Sequence, residues 1–106
     1  MRPSTILLSA VAMLCLLSPA ANAEDKGAVL FQSNCLMCHG ADGKGTPTGK
    51  AFNVTDFQDP VVVKMSDADL AAIINKGKNK MPAFGSRFTP PEIESLVSHI
   101  RGLQKP

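Results

Sequence analysis

Cys35-Leu36-Met37-Cys38-His39 governs how the rest of this sequence is read. Two thiols three positions apart lie about one helical turn from each other. A histidine follows the second thiol directly. This C-x-x-C-H spacing is the attachment pattern of a c-type haem. Each thiol adds across one vinyl group to give two thioethers, and the His39 imidazole projects toward the iron as proximal ligand. Other uses of the same residues fit less well. A thioredoxin-like dithiol needs a βαβ setting, whereas the residues around Cys35 read as helix and loop. A structural zinc ion takes four Cys or His ligands; beyond the leader, the sequence offers Cys35, Cys38, His39 and the distant His99. A disulfide would leave His39 without a role.

The N-terminus supports this reading. Met1-Arg2 gives a short basic start, Ile6 to Leu17 is an apolar run broken by Ser9, and Ala21-Asn22-Ala23 follows Pro19 as a small-x-small cleavage site. Residues 1–23 therefore read as a secretory signal peptide, and residues 24–106 as one domain. The apolar run falls short of the roughly 20 residues that a membrane span needs. Cys15 lies inside the leader, and Leu14 before it is not the small residue that lipid attachment requires. Export suits covalent haem chemistry, in which reduced thiols meet haem outside the cytoplasm. In an oxidising compartment two free cysteines would otherwise tend to pair. The expected location is the periplasm, or the thylakoid lumen in a photosynthetic cell.

A domain of this size sits near the lower limit for a self-sufficient core. The sequence has five Phe and no Trp or Tyr. A haem would supply the large flat apolar centre that the side chains lack, so the haem-free chain is expected to fold poorly. Eleven basic and nine acidic residues give a formal charge of +2. No basic stretch carries interleaved aromatics, which excludes nucleic acid as a partner.

Three main helices are legible. The first runs from Asp25 to about Cys38, with Gly27 to Phe31 on its inner face and Gly40 as its breaker. The second starts at Ser66, a good N-cap, with Met65 stapled onto Leu70; Leu70, Ala71, Ile73 and Ile74 are its apolar side and Gly77 ends it. The third has Thr89 as cap, Pro90 at the first position and Glu92 completing a capping box, with Phe88 stapled onto Ile93. Ile93, Leu96, Val97, Ile100 and Leu103 recur along it at helical spacing. Gly40 to Pro60 reads as a long irregular segment that packs on the haem through Phe52, Val54 and Phe57. The fold class is all-α.

Iron bound by one histidine has a sixth position, and its occupant decides function. Lys76-Gly77-Lys78-Asn79-Lys80-Met81-Pro82-Ala83-Phe84-Gly85 presents Met81 between two helices. Pro82 stiffens the loop and biases Met81 toward extended geometry. Met81 is therefore the expected second ligand. The competing candidates are explained otherwise: Met65 by its staple position, Met37 by facing away inside the attachment motif, and His99 by packing at the edge of the last helix's stripe.

These residues together resemble a small class I cytochrome c over nearly the whole of residues 24–106. Gly27 and Phe31 precede Cys35 as in that family, where the small glycine lets the first and last helices cross closely. Leu96-Val97-Ser98-His99-Ile100-Arg101 is similar to the family's last helix, although an aromatic is usual where His99 stands. Gly77 to Gly85 resembles most the soluble cytochromes that donate to photosystem I. The resemblance implies a cytochrome c fold of three main helices and a long loop around one covalent haem c. It implies a monomeric one-electron carrier between larger redox complexes, not an enzyme, with Cys35, Cys38, His39 and Met81 as the cofactor site. Leu70, Ile74, Phe84 and Leu96 would enclose the haem. By the same analogy the Pro47 carbonyl accepts a hydrogen bond from His39. Lys44, Lys50, Lys76, Lys78 and Lys80 are expected to ring the haem edge and steer docking to acidic surfaces. The alternative is an open-site haem protein, a gas sensor or peroxidase-like enzyme, in which Met81 leaves the iron free.

Overall fold

The computed structural model describes residues 23–106. Residues 1–22 of the expected leader lie outside the described residues. Six helices follow in order: α1 (Ala23–Asn34), α2 (Leu36–His39), α3 (Pro47–Ala51), α4 (Pro60–Val63), α5 (Asp67–Lys76) and α6 (Pro90–Gln104). The described residues contain no strand beyond one isolated bridge, Lys78 to Met81. None of the helices among them is long and apolar enough to cross a membrane.

The frame is the crossing of α1 on α6. Gly27 makes it possible: a Cβ at this position would lie 2.0 Å from the Ser95 carbonyl oxygen and 2.9 Å from the His99 Cβ. The missing side chain thus lets two backbones approach closely. Phe31, one turn further on, buries its ring against the same helix, 4.9 Å from the His99 ring. Ile93, Leu96, Val97 and Ile100 form the buried stripe of α6, with Leu96 only 1% exposed. Burying each such side chain contributes about 1.5–3 kcal/mol.

α6 starts as its sequence dictates. The Glu92 N–H donates to the Thr89 hydroxyl, and the Thr89 N–H donates 2.9 Å to the Glu92 carboxylate. α5 begins on Ser66, whose hydroxyl accepts from the Asp69 N–H, and buries Leu70 and Ile74. Gly77 closes α5 with its N–H on the Ile73 carbonyl.

The remaining elements correct two expectations. The first helix is not continuous to Cys38. Among the described residues it runs from Ala23 and breaks at Cys35, which occupies a turn between α1 and α2. The segment from Gly40 to Pro60 is not wholly irregular. Thr46 accepts from the Gly49 N–H and caps α3, with Pro47 at its first turn. Asp59 caps α4 in the same way through the Val61 N–H, again followed by a proline. Both are cap-proline starts; Gly43, Gly45 and Gly49 obscure the first of them.

Replacing Thr89 by Ala should lower the unfolding free energy measured in urea by about 1 kcal/mol at neutral pH, the usual value of such a cap. The backbone N–H and the hydroxyl of Thr89 hold the Glu92 carboxyl below its ordinary value of 4.5. That contribution is therefore complete above pH 4.5 and fades as pH falls through the lower folded value. Urea titrations of both proteins across acid pH check this: the variant's deficit should shrink as the carboxyl protonates.

Candidate haem site

The core side chains line a hollow instead of filling one another's gaps. Phe31, Phe57, Val62, Leu70, Ile74, Phe84, Leu96 and Ile100 are all buried, and all face one cleft of about 950 Å³. That volume is at the upper end of cofactor and ligand sites, which run roughly 300–1,000 Å³. Cys35, Cys38, His39 and Met81 line the same cleft. The sequence-expected site residues, 46 positions apart at the extremes in chain numbering, are thus brought to one cavity. Val54, Phe57 and Phe52 line it as expected, Phe52 half exposed at 50%.

The attachment motif is held by backbone. The Cys35 N–H continues the α1 ladder to the Phe31 carbonyl at 2.8 Å, and the His39 N–H donates to the Cys35 carbonyl at 3.0 Å. The last carbonyls of α2 are taken up by Thr46: its N–H donates to Cys38, and its hydroxyl reaches both Met37 and Cys38. α3 then lies directly on the motif. A Cβ on Gly49 would sit 1.9 Å from the Cys38 carbonyl oxygen. Thr46 and Gly49 hold the motif in place, a part that the reading of the sequence missed. The Thr46-Pro47 pair was a visible helix start; the Gly49 contact carries no local signal.

His39 is wedged among aromatic rings, 4.7 Å from Phe57 and 6.4 Å from Phe31. Burial lowers its pKa below 6.5, favouring the neutral ring that binds metals. Its Nδ1 is buried without a hydrogen-bond partner. The expected bond to the Pro47 carbonyl is therefore not formed; Pro47 instead opens α3, exposed. An orphaned imidazole nitrogen beside two thiols, at an apolar cleft of this size, suits a c-type haem.

Cys35 is poorly suited to act as a redox nucleophile. Burial, with Cys38 adding to it, pushes its thiol up to about 11. The thiolate is the reactive form, and at neutral pH little of Cys35 is in it.

Met81 is clamped on the opposite strap. Its N–H donates to the Lys78 carbonyl at 2.9 Å, and the Lys78 N–H returns a bond of 3.1 Å. Asn79, at φ 53°, makes the intervening turn. Gly77, at φ 74°, has no room for a side chain: a Cβ would meet the Met81 carbonyl oxygen at 2.6 Å. Past Pro82, the N–H groups of Phe84 and Gly85 donate to the Ile74 and Asn75 carbonyls of α5. The strap is tied at both ends. Met65 also lines the cleft and packs on the core. Met37 is 77% exposed at the cleft. Lys78 and Lys80 border the cleft; Lys44, Lys50 and Lys76 are exposed and not among its lining residues.

An all-α domain whose first and last helices cross over a cleft lined by a C-x-x-C-H motif has the architecture of a small class I c-type cytochrome. The family profile described as "Cytochrome C oxidase, cbb3-type, subunit III" matches residues 22–100, and the chain belongs to that cytochrome family. Cytochrome c6 of Gloeothece citriformis is 34% identical over 87 residues, covering 78% of this chain and 74% of that protein. The cbb3-type cytochrome c oxidase subunit FixP of Azorhizobium caulinodans is 34% identical over 85 residues, 76% of this chain but 27% of its own length. The chain thus spans about a quarter of that subunit. The solved structure of the c-type cytochrome KustC0563 matches with a TM-score of 0.70 at 34% identity, covering 74% of this chain and 98% of that one. The protein is an electron-transfer cytochrome and not an enzyme, and a haem c comes with the family.

Gly77→Ala should cost about 1–3 kcal/mol, since both the left-handed backbone and the Met81 carbonyl oppose a methyl group. Urea unfolding of the haem-loaded protein measures it.

Proposed function

We propose that this protein is an exported one-electron carrier, its haem c joined through Cys35 and Cys38 and ligated by His39 and Met81. The observation that carries this reading is the clamped Met81 strap, which presents its residue to the same cleft as His39. When bound, the haem supplies a ferric/ferrous couple. The chain's part is to hold two ligands still in both states. His39 is fixed by its ring neighbours and by α2. Met81 is fixed by Gly77, Lys78 and the bonds to α5. A His/Met pair, the ligand set of cytochromes c, raises the reduction potential, because the soft sulfur favours ferrous iron. The apolar lining acts in the same direction by excluding water from the added charge.

The match to cytochrome c6 and to one part of an oxidase subunit fits a module that exchanges electrons with larger redox complexes in the periplasm or a lumen. Lys78 and Lys80, at the cleft, are the lysines best placed to meet an acidic partner; Lys44, Lys50 and Lys76 add to the general positive field. Residues 1–23 would direct export and be removed.

Met81→Ala tests the ligand set. The variant should lose the sulfur–iron band, fall in reduction potential and bind carbon monoxide rapidly when reduced at neutral pH. The unaltered protein should resist carbon monoxide; rapid binding to it would instead favour an open-site sensor or peroxidase-like protein.

Electron transfer to a membrane redox complex tests the docking face. Its rate should fall as salt rises from about 0.01 M to 1 M, over which the screening length drops from about 30 Å to 3 Å. Lys78→Glu with Lys80→Glu should flatten that dependence, read by stopped-flow reduction kinetics.

A further inference from the structure

One wall of the cleft is not held by its own packing alone. Residues 57–67 supply Phe57, Val62 and Met65 to the lining. Within this stretch α4 is a single short turn, and two of its valines, Val61 and Val63, face solvent at 66% and 46% exposure. What ties the stretch to the frame is a polar cluster at the end of α6.

Arg101 is its centre. Its guanidinium donates through Nη2 to the Met65 carbonyl and through Nη1 to the Val63 carbonyl at 3.3 Å. The same Nη1 donates 2.9 Å to the Gln104 Oε1, and Nε donates 2.9 Å to the Asp67 carboxylate. Gln104, oriented by that bond, donates through Nε2 to the Phe57 carbonyl at 2.9 Å. Gln58 adds a longer bond of 3.4 Å back to the Leu103 carbonyl. One planar cation therefore bridges the end of α4, the turn before α5 and the first residue of α5. Its neighbour Gln104 fastens the start of the same stretch. Arginine suits this task because its fixed fork satisfies several acceptors at once.

The parts of the cluster differ in weight. Asp67 is 76% exposed where it meets Arg101, whose own side chain is 26% exposed. A surface ion pair of that kind is worth little. Bonds from a charged donor to main-chain carbonyls are stronger, and losing them leaves the carbonyls to find water. The carbonyl bonds, not the ion pair, hold the wall.

We infer that Arg101 is a positioning residue that keeps the Phe57–Met65 wall closed over the haem cleft through the Val63 and Met65 carbonyls, with Gln104 extending the clasp to Phe57. The inference rests on the haem reading above for its functional consequence. Without the clasp, residues 57–67 become a local opening unit, while the α1–α6 crossing, which uses Gly27, Phe31, Ser95 and Leu96, is untouched. An open wall admits water and small ligands to the cavity.

The test is amide hydrogen exchange followed by mass spectrometry on the haem-loaded protein, for Arg101→Gln, Asp67→Asn and the unaltered chain. Arg101→Gln should speed exchange of peptides spanning 57–67 by about tenfold or more, the scale set by losing two charge-assisted bonds. Peptides from 23–34 and 90–100 should keep their rates. Asp67→Asn should leave both sets unchanged within about threefold. Binding of added imidazole to the ferric protein should also become tighter by about tenfold in Arg101→Gln alone. A uniform rise across all peptides, no rise in 57–67, or an equal effect of Asp67→Asn would overturn the inference. Should Arg101→Gln yield no haem-loaded protein, Gln104→Leu, which removes the Phe57 clasp and the bond from Arg101 but leaves the Val63 and Met65 carbonyl bonds in place, should show a smaller rise confined to the same peptides; its absence would equally overturn it. Exchange reads the wall directly, so its result is separate from whether Met81 binds iron, which the Met81→Ala spectrum reports.

Discussion

The constraint from which the other features follow is that this short chain builds its core around a space. Eight of its buried apolar residues, from Phe31 to Ile100, present their inner surfaces to a single cleft. A domain this small has little apolar surface to bury. Placing that surface around a flat prosthetic group such as the family's haem lets side chains that do not fill the interior among themselves enclose something that does. The crossing of α1 and α6 supplies rigidity on one side. The attachment motif, the Met81 strap and the 57–67 wall each have to be fixed to it by other means.

Those means are mostly polar and backbone in character. Glycines at three points (Gly27, Gly49 and Gly77) let backbone meet backbone where a methyl group would collide with a carbonyl oxygen. Side chains such as Thr46 and Arg101 take up carbonyls at the ends of short helices. The apolar lining and the polar fastenings therefore divide the labour. The lining sets how dry the cleft is, and the fastenings set where His39 and Met81 stand.

Local signals explain what could be read from the sequence. Ser66 and Thr89 start α5 and α6 at the residues their caps indicate, because a cap acts on N–H groups two or three positions away. The α6 stripe was legible through helical spacing, the crossing at Gly27 and Phe31 through resemblance to the family, and the motif at Cys35 through its chemistry. The break of the first helix at Cys35, the Thr46 fastening on α2 and the contact of Gly49 with Cys38 depend on segments that meet only in the fold. Glycine and proline around Thr46 read as loop and hid the turn of helix they begin. The Pro47 carbonyl, assigned to His39 by resemblance, does not meet its Nδ1; Pro47 is placed instead at the opening of α3. Of five lysines expected at the site, the two nearest Met81 in sequence border the cleft, since the strap itself carries them there.

The meeting of Gly27 with Ser95 and His99 has a bearing on how the molecule assembles. The interface joins the two extremities of the described chain, so its formation requires nearly the whole intervening polypeptide to be looped shut first. Such distant pairing slows a helical protein relative to bundles stitched from neighbours. A fragment taken from either end holds only one half of the contact, so each needs the other to complete the frame.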